Sequence, residues 1–146
     1  MRIFKIFPLF VSFIVLVSFS NSFAQTYGKI FTMSEANQIY GSVLKSISIP
    51  TTTIENLLNE CNNYIMFRIV NNRVFVLNDS RRVLRPENKS INSRDVFTMY
   101  SKSVVQDLLS QGGGSDAYIE QRNGVLTVTY GNYTMEVGSI CPPICN

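Results

Sequence analysis

The chain has 146 residues, 13 Lys and Arg against 10 Asp and Glu, and neither His nor Trp. Without imidazole there is no Ser-His or Cys-His nucleophile pair, no common catalytic zinc site and none of the usual physiological pH switch. The net charge of +3 is too small for a general nucleic-acid binder.

Residues 1–24 open with Arg2 and Lys5, continue as an apolar run from Ile6 to Phe19 broken by Pro8, Ser12 and Ser18, and close on Ser20, Asn21, Ser22, Phe23 and Ala24. Charge, apolar core and small-residue exit are the order of a cleavable signal peptide. Ser22 and Ala24 fit the −3 and −1 positions of a cut before Gln25. The apolar core is shorter than the run of about 20 residues that spans a bilayer, which favours cleavage over an anchor, and no later segment is long and apolar enough to span, so no transmembrane segment is expected after cleavage. The expected location is secreted or periplasmic. Dropping Arg2 and Lys5 from the basic count leaves 11 against 10, a net of +1.

Residues 25–140 are expected to form a single α+β domain. Thr32 to Ile47 has helical periodicity, with Ala36, Ile39, Tyr40, Val43, Leu44 and Ile47 on one face and a Thr32/Glu35 capping box. A second helix is predicted from Thr52 to Cys61, with a Thr52/Glu55 box and Ile54, Leu57, Leu58 and Cys61 on one face; Asn62-Asn63 ends it. Tyr64–Val70 and Arg73–Leu77 read as a hairpin turned at Asn71-Asn72.

The stretch 79–95 is polar and carries Arg81, Arg82, Arg85, Lys89 and Arg94. It reads as a basic surface loop between the two halves of the domain, and as the candidate interaction patch, because the planar guanidinium suits carboxylates and phosphates. Val96 to Gln111 is helical at least in its second half, where Val104, Val105, Leu108 and Leu109 share a face. Gly112-Gly113-Gly114 reads as a flexible link, since it follows a helix and lacks the Lys-Ser/Thr of a phosphate loop. Strands follow at 117–121, 125–130 and 133–137, with Asn123-Gly124 the strongest hairpin signal.

The tail, 141–146, holds Cys141-Pro-Pro-Ile-Cys145; Cys61 is the third cysteine. In an exported protein disulfides are expected. An odd number leaves one thiol over or joins two copies in a dimer. The tail spacing is one residue longer than the redox Cys-x-x-Cys, and two prolines limit its bending. A structural staple is therefore expected, with one tail cysteine pinned to Cys61 or the two tail cysteines joined locally.

A shift of 51 residues superposes Ile54, Leu57 and Leu58 on Val105, Leu108 and Leu109, and Asn72 on Asn123. Both stretches read helix then hairpin, the pattern an internal duplication would leave. The expected architecture is one antiparallel sheet built from two helix-plus-hairpin units, with helices packed on one face. Read as two helices followed by strands, Thr32–Leu77 resembles half of the tandem-repeat inhibitor proteins that bind β-lactamases. Read with Ser46-Ile47-Ser48-Ile49 as a strand before the second helix, it is similar to the small ring-forming modules of secretins and TonB-linked receptors.

Tyr64, Phe67, Phe75, Tyr118, Tyr130 and Tyr133 are expected mainly as core, and an edge strand would offer β-addition. Glu55 and Glu60 stand five apart on one helix, and Glu120 and Glu136 are expected on a solvent face; neither pair makes a catalytic dyad. No cofactor or metal is expected. The sequence thus points to a small exported non-catalytic binding protein for a protein or envelope polymer. The alternatives are an inhibitor or immunity-type protein against an extracellular enzyme, a thiol redox protein using Cys141 and Cys145, or a subunit of a surface assembly.

Overall fold

A computed structural model of the protein describes residues 25–142. The signal segment 1–24 and Cys145 lie outside the described residues. The elements in chain order are β1 (Lys29–Thr32), α1 (Met33–Tyr40), β2 (Lys45–Pro50), α2 (Thr51–Asn59), β3 (Tyr64–Val70), β4 (Arg73–Asn78), β5 (Val83–Arg85), β6 (Phe97–Ser101), α3 (Lys102–Gln111), β7 (Asp116–Gln121), β8 (Leu126–Tyr130), β9 (Tyr133–Glu136) and β10 (Ser139–Cys141). The class is α+β, and all strand pairs are antiparallel.

In place of one sheet there are two, each of five strands, ordered β1-β9-β8-β7-β2 (sheet A) and β10-β6-β3-β4-β5 (sheet B). Two stretches, or units, share the element order strand–helix–hairpin: β2-α2-β3-β4 and β6-α3-β7-β8. The first strands are exchanged between units. β2 pairs with β7, and β6 pairs with β3. The registers correspond, since Pro50 opposes Asp116 as Ser101 opposes Tyr64, and Pro50 and Ser101 each occupy the N-cap of the following helix.

The exchange creates the main core. The inner faces of the two sheets meet the apolar stripes of α2 and α3: Ile54, Leu57, Leu58, Val105 and Leu108 pack with Ile49, Ile65, Phe67, Val76, Tyr100, Ile119 and Val128. Each such aliphatic side chain contributes about 1.5–3 kcal/mol on burial. The Tyr100 hydroxyl, on sheet B, donates to the Leu126 carbonyl of sheet A, tying the layers together.

The predicted long first helix is a correction. The Thr32/Glu35 capping box forms, with the Thr32 amide donating to Glu35 Oε2 at 2.8 Å, but the helix stops after Tyr40. Gly41 adopts φ 76°, a left-handed conformation that halts helix propagation. The alternation in Ser46-Ile47-Ser48-Ile49 then pairs with β7 as a strand. Ile39, Val43 and Leu44 are left exposed. The second helix starts at Thr51, with Pro50 in place of Thr52 as N-cap, and no side-chain cap forms. The Asn71-Asn72 turn is as expected, both residues at positive φ (45° and 61°). Of the three glycines, Gly112 makes a packed contact while Gly113 and Gly114 are exposed. Gly112 lies against the Tyr130 ring and carbonyl, leaving no room for a β-carbon, and the Tyr130 hydroxyl donates to the Gly114 carbonyl at 2.7 Å.

The outer faces of the sheets have separate covers. α1 lies over sheet A, where it contacts β1 and β9. The basic stretch 79–95 contributes β5 to the edge of sheet B, and its Val83 and Ile91 pack with Met66, Leu77, Phe97, Met99 and Cys141 in a second, smaller core.

Candidate interaction site

The basic residues of the stretch 79–95 have different settings. Arg81 is half-buried: its guanidinium lies 5.6 Å from the Phe97 ring centroid, donates to the Asp95 carbonyl at 2.8 Å, and reaches Cys141 Sγ at 3.1 Å. Arg82 pairs with Glu60 at 2.9 Å. Both belong to the fold. Arg94 is exposed, and its backbone amide donates to Asn92 Oδ1 at 2.9 Å in the turn before β6.

Arg85 and Lys89 have a different setting, shared with a residue the sequence reading missed, Arg73. β4 and β5 pair Leu77 with Val83 but Val76 with Arg85, so one step on β4 spans two on β5. This bulge sets Arg85 opposite Val76, whose side chain belongs to the core-facing side; bulges commonly re-aim a side chain in this way. Arg85 thereby lines a cleft of about 280 Å³ between the edge of sheet B and β2 of sheet A, with Arg73, Asn72, Pro86, Ile47, Ile49 and Val74. Arg73, at the start of β4, also lines a depression on the opposite side with Val70, Asn71, Phe75 and Lys89. Arg73 thus joins two depressions, sharing the apolar-floored cleft with Arg85 and the opposite depression with Lys89. Among the described residues none of their side chains has an ion-pair partner. Their convergence depends on the hairpin and the bulge, neither of which is visible in a count of basic residues along the loop.

Two other depressions are less charged. One of about 340 Å³ lies between α2 and α3 and is lined by Glu55, Leu58 and Asn59 facing Gln106, Leu109 and Ser110, the residues that the 51-residue shift equates. The other, about 300 Å³, is polar and sits at the start of α3 beside Gln25, Asn62, Asn63 and Tyr64.

The carboxylates expected on a solvent face are buried, which is a correction. Glu120 is 6% exposed and Glu136 8%. Arg122, 0% exposed, donates to Glu120 at 3.1 Å, Asn37 Oδ1 at 2.6 Å, the Gly41 carbonyl at 2.8 Å and Thr127 Oγ1 at 3.3 Å. Thr129 adds a bond to Glu120 at 2.7 Å. Glu136 meets the Tyr40 hydroxyl, whose pKa is pushed up to about 12 by burial and by that carboxylate. These groups pin α1 to the sheet through satisfied partners.

Cys61 was a disulfide candidate; the structure holds it as a free thiol, 3% exposed, donating to the Leu57 carbonyl at 3.3 Å. Burial, and secondarily the Asp79 carboxylate, raise its pKa to about 11, opposite to what a reactive thiolate needs. Its depth also removes it from any cross-link between two copies. Cys141 is disulfide-bonded, fully buried, and part of β10 rather than of a separate tail. Phe67 and Tyr130 are core, Tyr64, Phe75 and Tyr133 are half-buried, and Tyr118 is 41% exposed on sheet A. Among the described residues no cluster of three or more His, Cys, Asp or Glu could hold a metal ion, and no helix is long and apolar enough to cross a membrane. Neither a protein-family model, nor a curated protein, nor a solved structure matches the chain.

Proposed function

We propose that the protein is exported, cleaved before Gln25, and works as a small non-catalytic binding protein that recognises an anionic protein or envelope polymer. The observation that carries this reading is the cleft beside β2, where Arg73 and Arg85 flank an apolar floor, with Lys89 in the opposite depression. Guanidinium groups without a carboxylate partner are available to an external anion, and the floor supplies the desolvated surroundings in which such contacts gain strength. The buried Arg122–Glu120 pair and the Cys61 thiol have roles inside the fold, so neither competes for the assignment. The test is retention on immobilised polygalacturonate and on an immobilised Glu-rich peptide, each against a neutral counterpart at low ionic strength. Salt-sensitive retention on either, lost in Arg73→Glu/Arg85→Glu/Lys89→Glu, is the expected result. Equal retention of the triple variant, or none on either anionic matrix, would overturn the proposal.

A further inference from the structure

We infer that the free edge of β2 is a strand-addition site for an extended acidic peptide whose carboxylates are held by Arg73 and Arg85. This rests on the reading of the basic cleft as a binding surface and names its occupant.

The four sheet edges differ in length. β5 and β10 are three residues each and β1 is four, whereas β2 runs six, Lys45–Pro50. Natural sheets blunt their edges by keeping them short; β2 alone is left long. Among the described residues no strand pairs with its outer side. The Thr51 amide bonds to the Ser115 carbonyl, and in an antiparallel ladder bonded pairs recur every second residue. Ile49 and Ile47 therefore spend their backbone groups on β7, and Ser46 and Ser48 turn N–H and C=O outward. Both serines are exposed. Pro50 has no N–H to offer, which closes the edge at that end.

Ile47 and Ile49 point toward the cleft that Val74, Arg73 and Arg85 complete. A strand laid beside Ser46 and Ser48 would send every second side chain over that cleft. The cleft suits an apolar residue on its Ile47–Ile49–Val74 floor, with carboxylates beside it for the two guanidiniums. A polysaccharide lacks the alternating donors and acceptors that the serine backbone requires, and this favours a peptide.

The probe is a fluorescent peptide of sequence Thr-Glu-Thr-Val-Thr-Glu-Thr, read by anisotropy on the full exported chain. Its companions are a form with Gln for both Glu, a form N-methylated at alternate residues, and polygalacturonate. The expected result is salt-sensitive binding of the parent peptide, weakened about tenfold or more by the Gln form, and lost with the N-methylated form and with Arg73→Glu/Arg85→Glu. Ser48→Pro, which removes only an outward donor, should abolish binding while leaving the thermal melt in place; the N-methylated peptide makes the same test on unaltered protein. Undiminished binding of the N-methylated peptide overturns strand addition. Binding of polygalacturonate but not of the peptide, lost in the charge-reversal variant, overturns the peptide inference and leaves the wider binding reading intact. Binding of neither overturns both.

Discussion

The backs of the two sheets are covered in contrasting ways, and the arginines in the two covers sit in different settings. Over sheet A, Arg122 is fully buried and joins α1 to the strands through Glu120, Asn37 and the Gly41 carbonyl. The strand residues under α1 are Thr127, Thr129, Thr134, Glu120 and Glu136, and the one buried residue of the helix is Ala36. Over sheet B, the strand residues Phe97, Met66 and Leu77 form an apolar cluster against which Val83 and Ile91 pack, and Arg81 lies on the Phe97 ring half in solvent. The same residue type therefore carries different energetic weight. A buried charge needs a complete set of partners, because removing one leaves the rest desolvated. A half-exposed charge over an aromatic ring can be lost with less penalty, since water replaces its contacts.

Breaking the sheet A cover should cost most. Arg122→Ala strands Glu120 without its counter-ion, and a loss of about 3–5 kcal/mol is expected in chemical denaturation. The double variant Arg122→Leu/Glu120→Gln should recover a large part of that loss; no recovery would mean that the hydrogen bonds to Asn37 and Gly41 matter more than the charge. Arg81→Ala is expected to cost less, about 1–2 kcal/mol from the same measurement. A loss as large as that of Arg122→Ala would erase the contrast between the two covers.

Asp79, at the end of β4, offers a pH-dependent version. Its carboxylate accepts the backbone amides of Asn62, Asn63 and Tyr64 at 2.7, 2.7 and 2.8 Å. Burial pushes its pKa up, but these amides outweigh burial and hold it below the usual value. A group with a lowered folded pKa stabilises above its unfolded pKa, about 3.9, and that contribution is lost as pH falls through the lower folded value. Asp79→Asn should therefore cost about 1 kcal/mol at neutral pH, and the gap to the natural protein should close in melts taken as pH falls below the unfolded value and through the lower folded one. A gap constant with pH would show that shape rather than charge is what matters there. The smallest effect is expected at Ile39 and Leu44, 58% and 69% exposed. Ile39→Ser/Leu44→Ser should stay within about 0.5 kcal/mol per site in melting experiments, despite sitting on what the sequence presents as a helical apolar face.

That last case shows where periodicity misled. Ala36, Ile39, Val43 and Leu44 fit a helix stripe, but Gly41 ends the helix and β7 claims the residues beyond it. The second unit was more legible: the apolar stripe of α3 and the strands after it fall where the pattern set them. Of the candidate site, Arg85 and Lys89 were visible as basic residues. Arg73 was not, because its neighbours in the cleft come from β2, β5 and the chain after β5. Glu120 and Glu136 were misplaced because alternation identifies two faces of a strand without saying that α1 will cover the polar one.

The amino-acid sequence by itself determined the local structure of this protein: the Thr32/Glu35 cap, the Asn71-Asn72 turn and the α+β class. These depend on contacts within a few residues, where side-chain chemistry and backbone sterics act directly. Only the tertiary structure decided the exchange of β2 and β6 between units, the burial of Arg122, the free state of Cys61 and the cleft beside β2. Each joins residues far apart in the chain, and strand pairing over such separations is selected by how the whole core closes rather than by any local preference.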